Sequence, residues 1–413
     1  MSDRVDMDVA DDGQGAGIVP RLRFPEFRGT GGWGRGPLGD FCEVMQGYGF
    51  PEEFQGRTDG RYPFCKVSDI SRAVEQEGGK LSSAANYVEA EIVRVLRATV
   101  IPVGATVFAR IGEAIRSNRR ALVMRECLVD NNAVAIKSKL GRAQDFFVFL
   151  LSQRIDMGHY SAGVVPSVNK STLEAIPLVV PSLGEQQRIA DCLSSLNDLI
   201  VSETRKVDAL KTHKMGLVQQ LFPREGETVP RLRFPEFVGE WECTEVGELI
   251  STIAPPKKLA TGAYLHEGSF PILDQGKESV AGWTNDETAL VAEEGPLIVF
   301  GDHTCKVVLA RQPFAQGADG IKILRTRDRV STEFLYQALL HRPIASSQYR
   351  RHFSILRERK VCFPSTVAEQ QRITDFLSCL DGLIVAEARR LDALKAHKKG
   401  LMQQLFPQEA AEA

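Results

Sequence analysis

A 39-residue block is written twice in this chain, and any fold it adopts must house both copies. Residues Glu185–Pro223 return as Glu369–Pro407, 184 positions on, with 27 of 39 aligned residues identical and no gap. A shorter block, VPRLRFPEF, occupies Val19–Phe27 and returns unchanged at Val229–Phe237, an offset of 210. The order is therefore short block, unlike segment, long block, twice over. The unlike segments, roughly 28–184 and 238–368, share little obvious sequence, and the first is longer by 26 residues, the difference between the offsets.

The long block is a helix by its periodicity. Ile189, Leu193, Leu196, Ile200, Glu203, Val207, Leu210, Lys214, Leu217 and Leu221 follow steps of four and three. The copy runs Ile373, Leu377, Leu380, Ile384, Glu387, Leu391, Leu394, Lys398, Leu401 and Leu405. Eight of ten seam positions are apolar in each, a sustained heptad pattern. Pro181 and Pro364 precede the helices, and Pro223 and Pro407 close them. Each would be a rod of about 55 Å at 1.5 Å per residue.

The rods either pack on their own domains as ordinary amphipathic helices or pair with each other. In-register parallel pairing would set Glu203 beside Glu387 and Lys214 beside Lys398 in a partly dry seam, an unfavourable meeting of like charges. Antiparallel pairing removes both clashes, lets these four residues form cross-rod ion pairs, and relates the halves by a pseudo-two-fold axis. The unlike segments carry β-branched and aromatic runs bounded by Gly and Pro, such as GATVFARIG and GPLIVFGDHTCKVVLA, and end in the helical stretches QDFFVFLLSQRI and STEFLYQALLHR. The expected architecture is α/β (α+β): two dissimilar domains, 19–184 and 229–368, separated by two long antiparallel coiled-coil helices, 185–223 and 369–407.

Composition excludes some classes. No apolar run approaches the ~20 residues of a membrane span. Residues 1–18 are acidic and Gly-bearing, without the apolar centre of a signal peptide, and read as a disordered tail on a cytoplasmic protein. None of the eight cysteines forms a CxxC pair, so reduced thiols are expected and a zinc site is not. There is no phosphate loop, HExxH or GxSxG motif, and no carboxylate spacing that marks a two-metal centre. In GDHTCK, Asp302, His303 and Cys305 are more simply a polar turn than a triad.

Two unlike domains on a stiff spacer make a ruler with two readers. B-DNA, whose grooves recur every ~34 Å, is a regular target for it. Here the sequence resembles the specificity subunits of type I restriction–modification systems. The match is carried by RLRFPEF with its following Trp33 or Trp241, by VVPSLGEQQRI and CFPSTVAEQQRI, and by KMGLVQQLFP and KKGLMQQLFP. The resemblance implies that the two unlike segments are target recognition domains, each reading one half of a split asymmetric site. It implies that the helices dock two methyltransferase subunits carrying S-adenosylmethionine, and that a separate restriction (motor) subunit carries ATP with Mg. This chain would then be a non-catalytic adaptor holding no cofactor or metal of its own. A protein-binding scaffold with no DNA role is the alternative reading, and a stand-alone nuclease a third.

Phosphate contacts supply affinity and base edges supply specificity. In the first domain RIGEAIRSNRR offers Arg110, Arg116, Asn118, Arg119 and Arg120, with Asn169 and Lys170 as a second cluster. In the second, ten Lys or Arg against three Asp or Glu fall within Lys322–Lys360, and Arg350, Arg351, Arg357, Arg359 and Lys360 are the candidates, with Lys306 in GDHTCK and the turn DQGK. His213 and His397, equivalent in the two rods, read as exposed helix positions or part of a docking face. Solvated charge without a special role is the bland alternative for each basic cluster.

Overall fold

The computed structural model describes residues 18–407 apart from 277, 279, 318, 319 and 345–351; the acidic tail lies outside the described residues but for Ile18. The chain divides into two units, residues 1–205 with 389–413, and residues 206–388. The long helices run Leu183–Leu221 and Val367–Leu405, so each gives its first half to one unit and its second half to the other.

In the first unit a mostly antiparallel sheet orders its strands as Cys42–Gln46, Ala133–Ser138, Thr106–Ala109, Ala121–Val123 and Lys80–Leu81. A second sheet orders Asn86–Val88, Tyr62–Cys65 and Leu128–Val129. The helix Asp145–Ser152 covers the larger sheet, and its Phe147 and Leu150 reach the same core as Val134 and Ile136. In the second unit the corresponding sheet orders Ile250–Ile253, Ile321–Thr326, Leu297–Gly301 and Val307–Ala310, with the helix Thr332–His341 against it. The expected strands and terminal helices are present, and the inserts share a topology that their sequences hide. The extra length of the first goes partly into the helix Val67–Gln76, between Tyr62–Cys65 and Asn86–Val88; the second crosses from Phe270–Leu273 to Gly282–Thr284 in a short connection.

Each insert begins and ends in a two-stranded antiparallel ribbon, Gly34–Pro37 with Pro177–Val180 and Glu242–Glu245 with Lys360–Phe363. The second ribbon overturns one expectation. Cys243 and Cys362 face each other across it and are joined as a disulfide, where reduced thiols were expected. Their separation of 119 residues hides this from any spacing rule.

The duplicated motifs are explained at the foot of each insert. In the first unit Glu185 accepts both arms of Arg23, at 2.8 and 2.7 Å, and the indole N–H of Trp33 at 3.3 Å. In the second, Glu369 accepts Arg233 at 2.7 and 2.8 Å and Trp241 at 3.2 Å. Bidentate pairing in a dry pocket raises the pKa of both guanidiniums. The next residue, Gln186, accepts the Gln144 N–H at 2.9 Å and donates to the Pro181 carbonyl at 2.9 Å; Gln370 does the same with Ser331 at 2.7 Å and Pro364 at 2.8 Å. Gln144 and Ser331 are the N-caps of the covering helices, so one glutamine ties domain, ribbon and rod together. The LFP endings close the same cores: Phe406 stacks on Phe147 at 5.5 Å, and Phe222 meets Phe334 at 5.4 Å.

The rods pair antiparallel within each unit. In the first, Arg390 meets Glu203 at 3.4 Å and Lys398 donates to Asn197 at 2.8 Å; in the second, Lys206 meets Glu387 and Lys214 meets Asp381, both at 2.6 Å. As one number rises its partner falls, which fixes the direction. The apolar seam residues Ile189, Leu193, Leu196, Ile200, Leu210 and Leu217, with Ile373, Leu377, Leu380, Ile384, Leu394 and Leu401, are all buried or half-buried, and His213 and His397 are exposed.

Candidate nucleic-acid interface

The two basic clusters of the first domain come together. Arg110 leaves the strand Thr106–Ala109, its backbone carbonyl accepts the Val168 N–H at 3.0 Å, and the Gly112 N–H donates to the Pro166 carbonyl at 2.8 Å. Residues 110–112 and 166–168 thus run side by side, and Asn169 and Lys170 follow directly. The Arg110 side chain is held at the Asn131 carbonyl at 3.0 Å. Arg116 is exposed and pairs loosely with Glu113 at 3.4 Å, whereas Arg119 reaches Glu75 at 2.6 Å from the inserted helix. Asn169 is an N-cap: its carbonyl oxygen accepts the Thr172 N–H at 2.8 Å, starting the helix Lys170–Ala175. Lys170 stands exposed, 3.7 Å from Glu174.

Arg120 departs from the surface role expected of it. It is 3% exposed, lies over the Phe108 ring at 4.4 Å, and donates to Asn118 at 2.8 Å and to the Ile155 carbonyl at 3.2 Å. Burial pulls its pKa down to about 10, with Asp156 opposing. Asn118, in the left-handed region at φ 50°, donates in turn to the Gln153 carbonyl at 3.1 Å. This pair braces the loop against the covering helix. In sequence, SNRR reads only as a polar loop, because the cavity that receives Arg120 is built from distant strands.

In the second domain the segments 274–276 of DQGK and 301–306 of GDHTCK are neighbours, and Lys277 lies outside the described residues. Lys306 donates to the carbonyls of Gly276, at 2.8 Å, and Glu278, so its charge braces one turn with the other. Asp302 is buried; its carboxylate accepts the Phe353 N–H at 2.8 Å and its carbonyl the His352 N–H at 2.9 Å, which anchors the helix Phe353–Glu358. Burial, then Asp302, raises the Cys305 pKa, the opposite of what a nucleophilic thiol needs. Arg357 and Lys360 are exposed. Arg359 is half-buried, donates to the Arg342 carbonyl, and lines a 600 Å³ cavity with Arg342, His341 and the linker glutamate Glu225. Burial, then Arg342, lowers the Arg359 pKa. Arg350 and Arg351 lie outside the described residues. No cluster of three or more His, Cys, Asp or Glu able to hold a metal occurs among the described residues, and no described helix is long and apolar enough to cross a membrane.

One element has almost no signature in sequence. Residues 162–167 form a tight hairpin on the Arg110 segment, closed by paired Ala162 and Ser167 hydrogen bonds of 3.1 Å in both directions. The turn residue Gly163, at φ +96°, and Pro166 are the only local signals of it.

These paired inserts on one repeated frame have counterparts among known proteins. Residues 31–212 match the family model described as the type I restriction modification DNA specificity domain. Two curated relatives come from Methanocaldococcus jannaschii. The MjaX specificity subunit is 24% identical over 264 residues, 58% of this chain and 60% of that protein. The MjaVIII specificity subunit is 22% identical over 252 residues, 60% of this chain and 53% of that protein. The chain thus matches somewhat more than half the length of these relatives. In fold it is similar to the crystal structure of a type I restriction–modification S subunit from M. genitalium, with a TM-score of 0.65 and 14% identity over 95% of this chain and 100% of the other. The class is that of the DNA specificity domains. Residues 31–212 carry that domain, and the chain is similar to the specificity subunits of type I restriction–modification systems.

Proposed function

We propose that this chain is the sequence-reading, non-catalytic subunit of a cytoplasmic type I restriction–modification complex. Each variable domain reads one half of a split, asymmetric site in double-stranded DNA, and the paired helices set the distance between halves. The observation that carries this reading is the contrast between frame and insert. Glu185 with Arg23 and Trp33, and Glu369 with Arg233 and Trp241, repeat almost atom for atom, while the loops they support do not. A duplicated mount with different tips suits two different half-sites on one regular polymer. The duplicated outer faces of the rods would each dock one methyltransferase subunit. S-adenosylmethionine would belong to those subunits, and ATP with Mg to a restriction subunit.

In the first domain, Arg110, Arg116, Arg119 and Lys170 are the phosphate-contacting candidates, and Arg120 supports their loop. In the second, Arg357 and Lys360 are the exposed candidates, joined by Arg350 and Arg351. The test is to map methylated bases in a host carrying the chain and its methyltransferase, then replace residues 28–184 with those of a relative. One half-site should change and the other stay. A change in both, or in neither, refutes the reading, and plasmid cleavage by the purified chain with Mg²⁺ alone refutes its non-catalytic part.

A further inference from the structure

The hairpin at 162–167 carries two apolar side chains into solvent. Val164 is fully exposed and Val165 is 62% exposed. A frayed loop would give such exposure no meaning, but this one is built. Ala162 and Ser167 exchange two hydrogen bonds, Gly163 supplies the positive φ of the turn, and Ser167 also bridges to Ile111. Behind the tip, Val168 is 3% exposed within the main core. The base is thus fixed to the core and to the Arg110 segment, and only the tip projects. Valine is β-branched and stiff at χ1, so the tip presents methyl groups with little freedom left to lose.

We infer that Val164 and Val165 form an apolar contact for thymine C5-methyl groups in the major groove of the first half-site. The duplex is favoured over a protein partner because the hairpin is hydrogen-bonded to the segment that carries Arg110, and Lys170 follows it directly in the chain, side chains suited to phosphates. Thymine is the base whose major-groove edge offers an apolar group, and short aliphatic side chains are its usual partners. The cations would then hold the duplex while the tip distinguishes a pyrimidine with a methyl from one without. This rests on the DNA-reading function proposed above and adds to it the base recognised.

The experiment replaces each thymine of the first half-site, one at a time, with deoxyuridine, which deletes the methyl and nothing else. Affinity is measured for the full chain and for the double variant Val164→Ser, Val165→Ser; Val164→Thr, which keeps one methyl and the branch, serves as a conservative control. At one or two thymines the native chain should lose about four-fold in affinity per methyl. The double variant should bind thymine and deoxyuridine equally there, with unchanged dependence on salt and an unchanged melting temperature. Three results overturn the inference: a first half-site without thymine, no sensitivity to deoxyuridine, or sensitivity that persists in the double variant. Loss of methyltransferase binding by the double variant, with the deoxyuridine pattern intact, would reassign the tip to a protein contact. If the native chain shows no site-specific DNA binding at all, the reading of the whole chain fails first and this contact falls with it.

Discussion

The two halves of the coil share their ion-pair layout, and one place where they part is informative. Glu203 with Arg390 and Glu387 with Lys206 are equivalent pairs, each a carboxylate met by a cation from the opposite rod. The seam lysines are equivalent too, but their partners differ: Lys214 faces the carboxylate of Asp381, and Lys398 the neutral amide of Asn197. Burial lowers the Lys398 pKa, with no carboxylate to offset it. The repeat therefore preserves shape and hydrogen bonding more strictly than charge. Position 197 lies inside the rod-to-domain contact, where Asn197 also donates to the Gly78 carbonyl of the first insert at 3.3 Å. There the frame has adjusted to its own unlike domain.

The largest effects should appear where the halves agree. Glu185→Ala and Glu369→Ala each leave a buried indole N–H unpaired and take the carboxylate from an arginine that keeps only backbone carbonyl partners, a loss of charged hydrogen bonds that costs about 1.5–3 kcal/mol. Urea unfolding should find both losses in that range and similar to each other, since the two clamps share geometry to within about a tenth of an ångström. A loss confined to one variant would show that the clamps are equivalent in form only. A smaller effect should come from exchanging the unlike partners. Asp381→Asn should destabilise the second unit by about 1 kcal/mol, the worth of a hydrogen-bonded, partly exposed charge. Asn197→Asp gives Lys398 a carboxylate but takes the amide donor from the Gly78 carbonyl, so the first unit should gain less than the second loses; a gain as large as that loss in the same melting assay would mean that the Gly78 contact contributes nothing.

Much of this frame is legible in the amino-acid sequence, and the reason is locality. A heptad declares itself within ten residues, and the charged breaks at Glu203, Lys214, Glu387 and Lys398 carry enough information to select antiparallel pairing. The RLRFPEF and EQQRI motifs are visible as repeats, but the convergence of Arg23 and Trp33 on Glu185 is not, because 162 residues separate the arginine from its carboxylate. The same limit hides the disulfide of Cys243 with Cys362 and the burial of Arg120. Within the site, composition alone singles out the cations. Only the packing separates Arg116 and Lys170, which face water, from Arg120 and Lys306, whose donors are turned on the protein's own loops. The Val164–Val165 tip is concealed because two valines beside a proline look like core.

The last and smallest contrast is in pH dependence. Below its lowered pKa, Lys398 is protonated in the folded and unfolded chains alike, so it adds no slope. Between that point and the unfolded lysine value of about 10.4, the unfolded chain keeps a proton that the folded chain has released. The unfolded state then binds more protons, and stability rises with pH across this window. Many other groups titrate at alkaline pH, so the quantity to measure is the difference in melting temperature between the native chain and Lys398→Met, from about pH 7.5 to 10. The native chain should gain on the variant as the pH rises. Asn197→Asp should shrink the gain at Lys398, because a carboxylate facing the ammonium favours its charged form. A gain that persists undiminished in Asn197→Asp would show that burial, and not the missing carboxylate, governs this lysine.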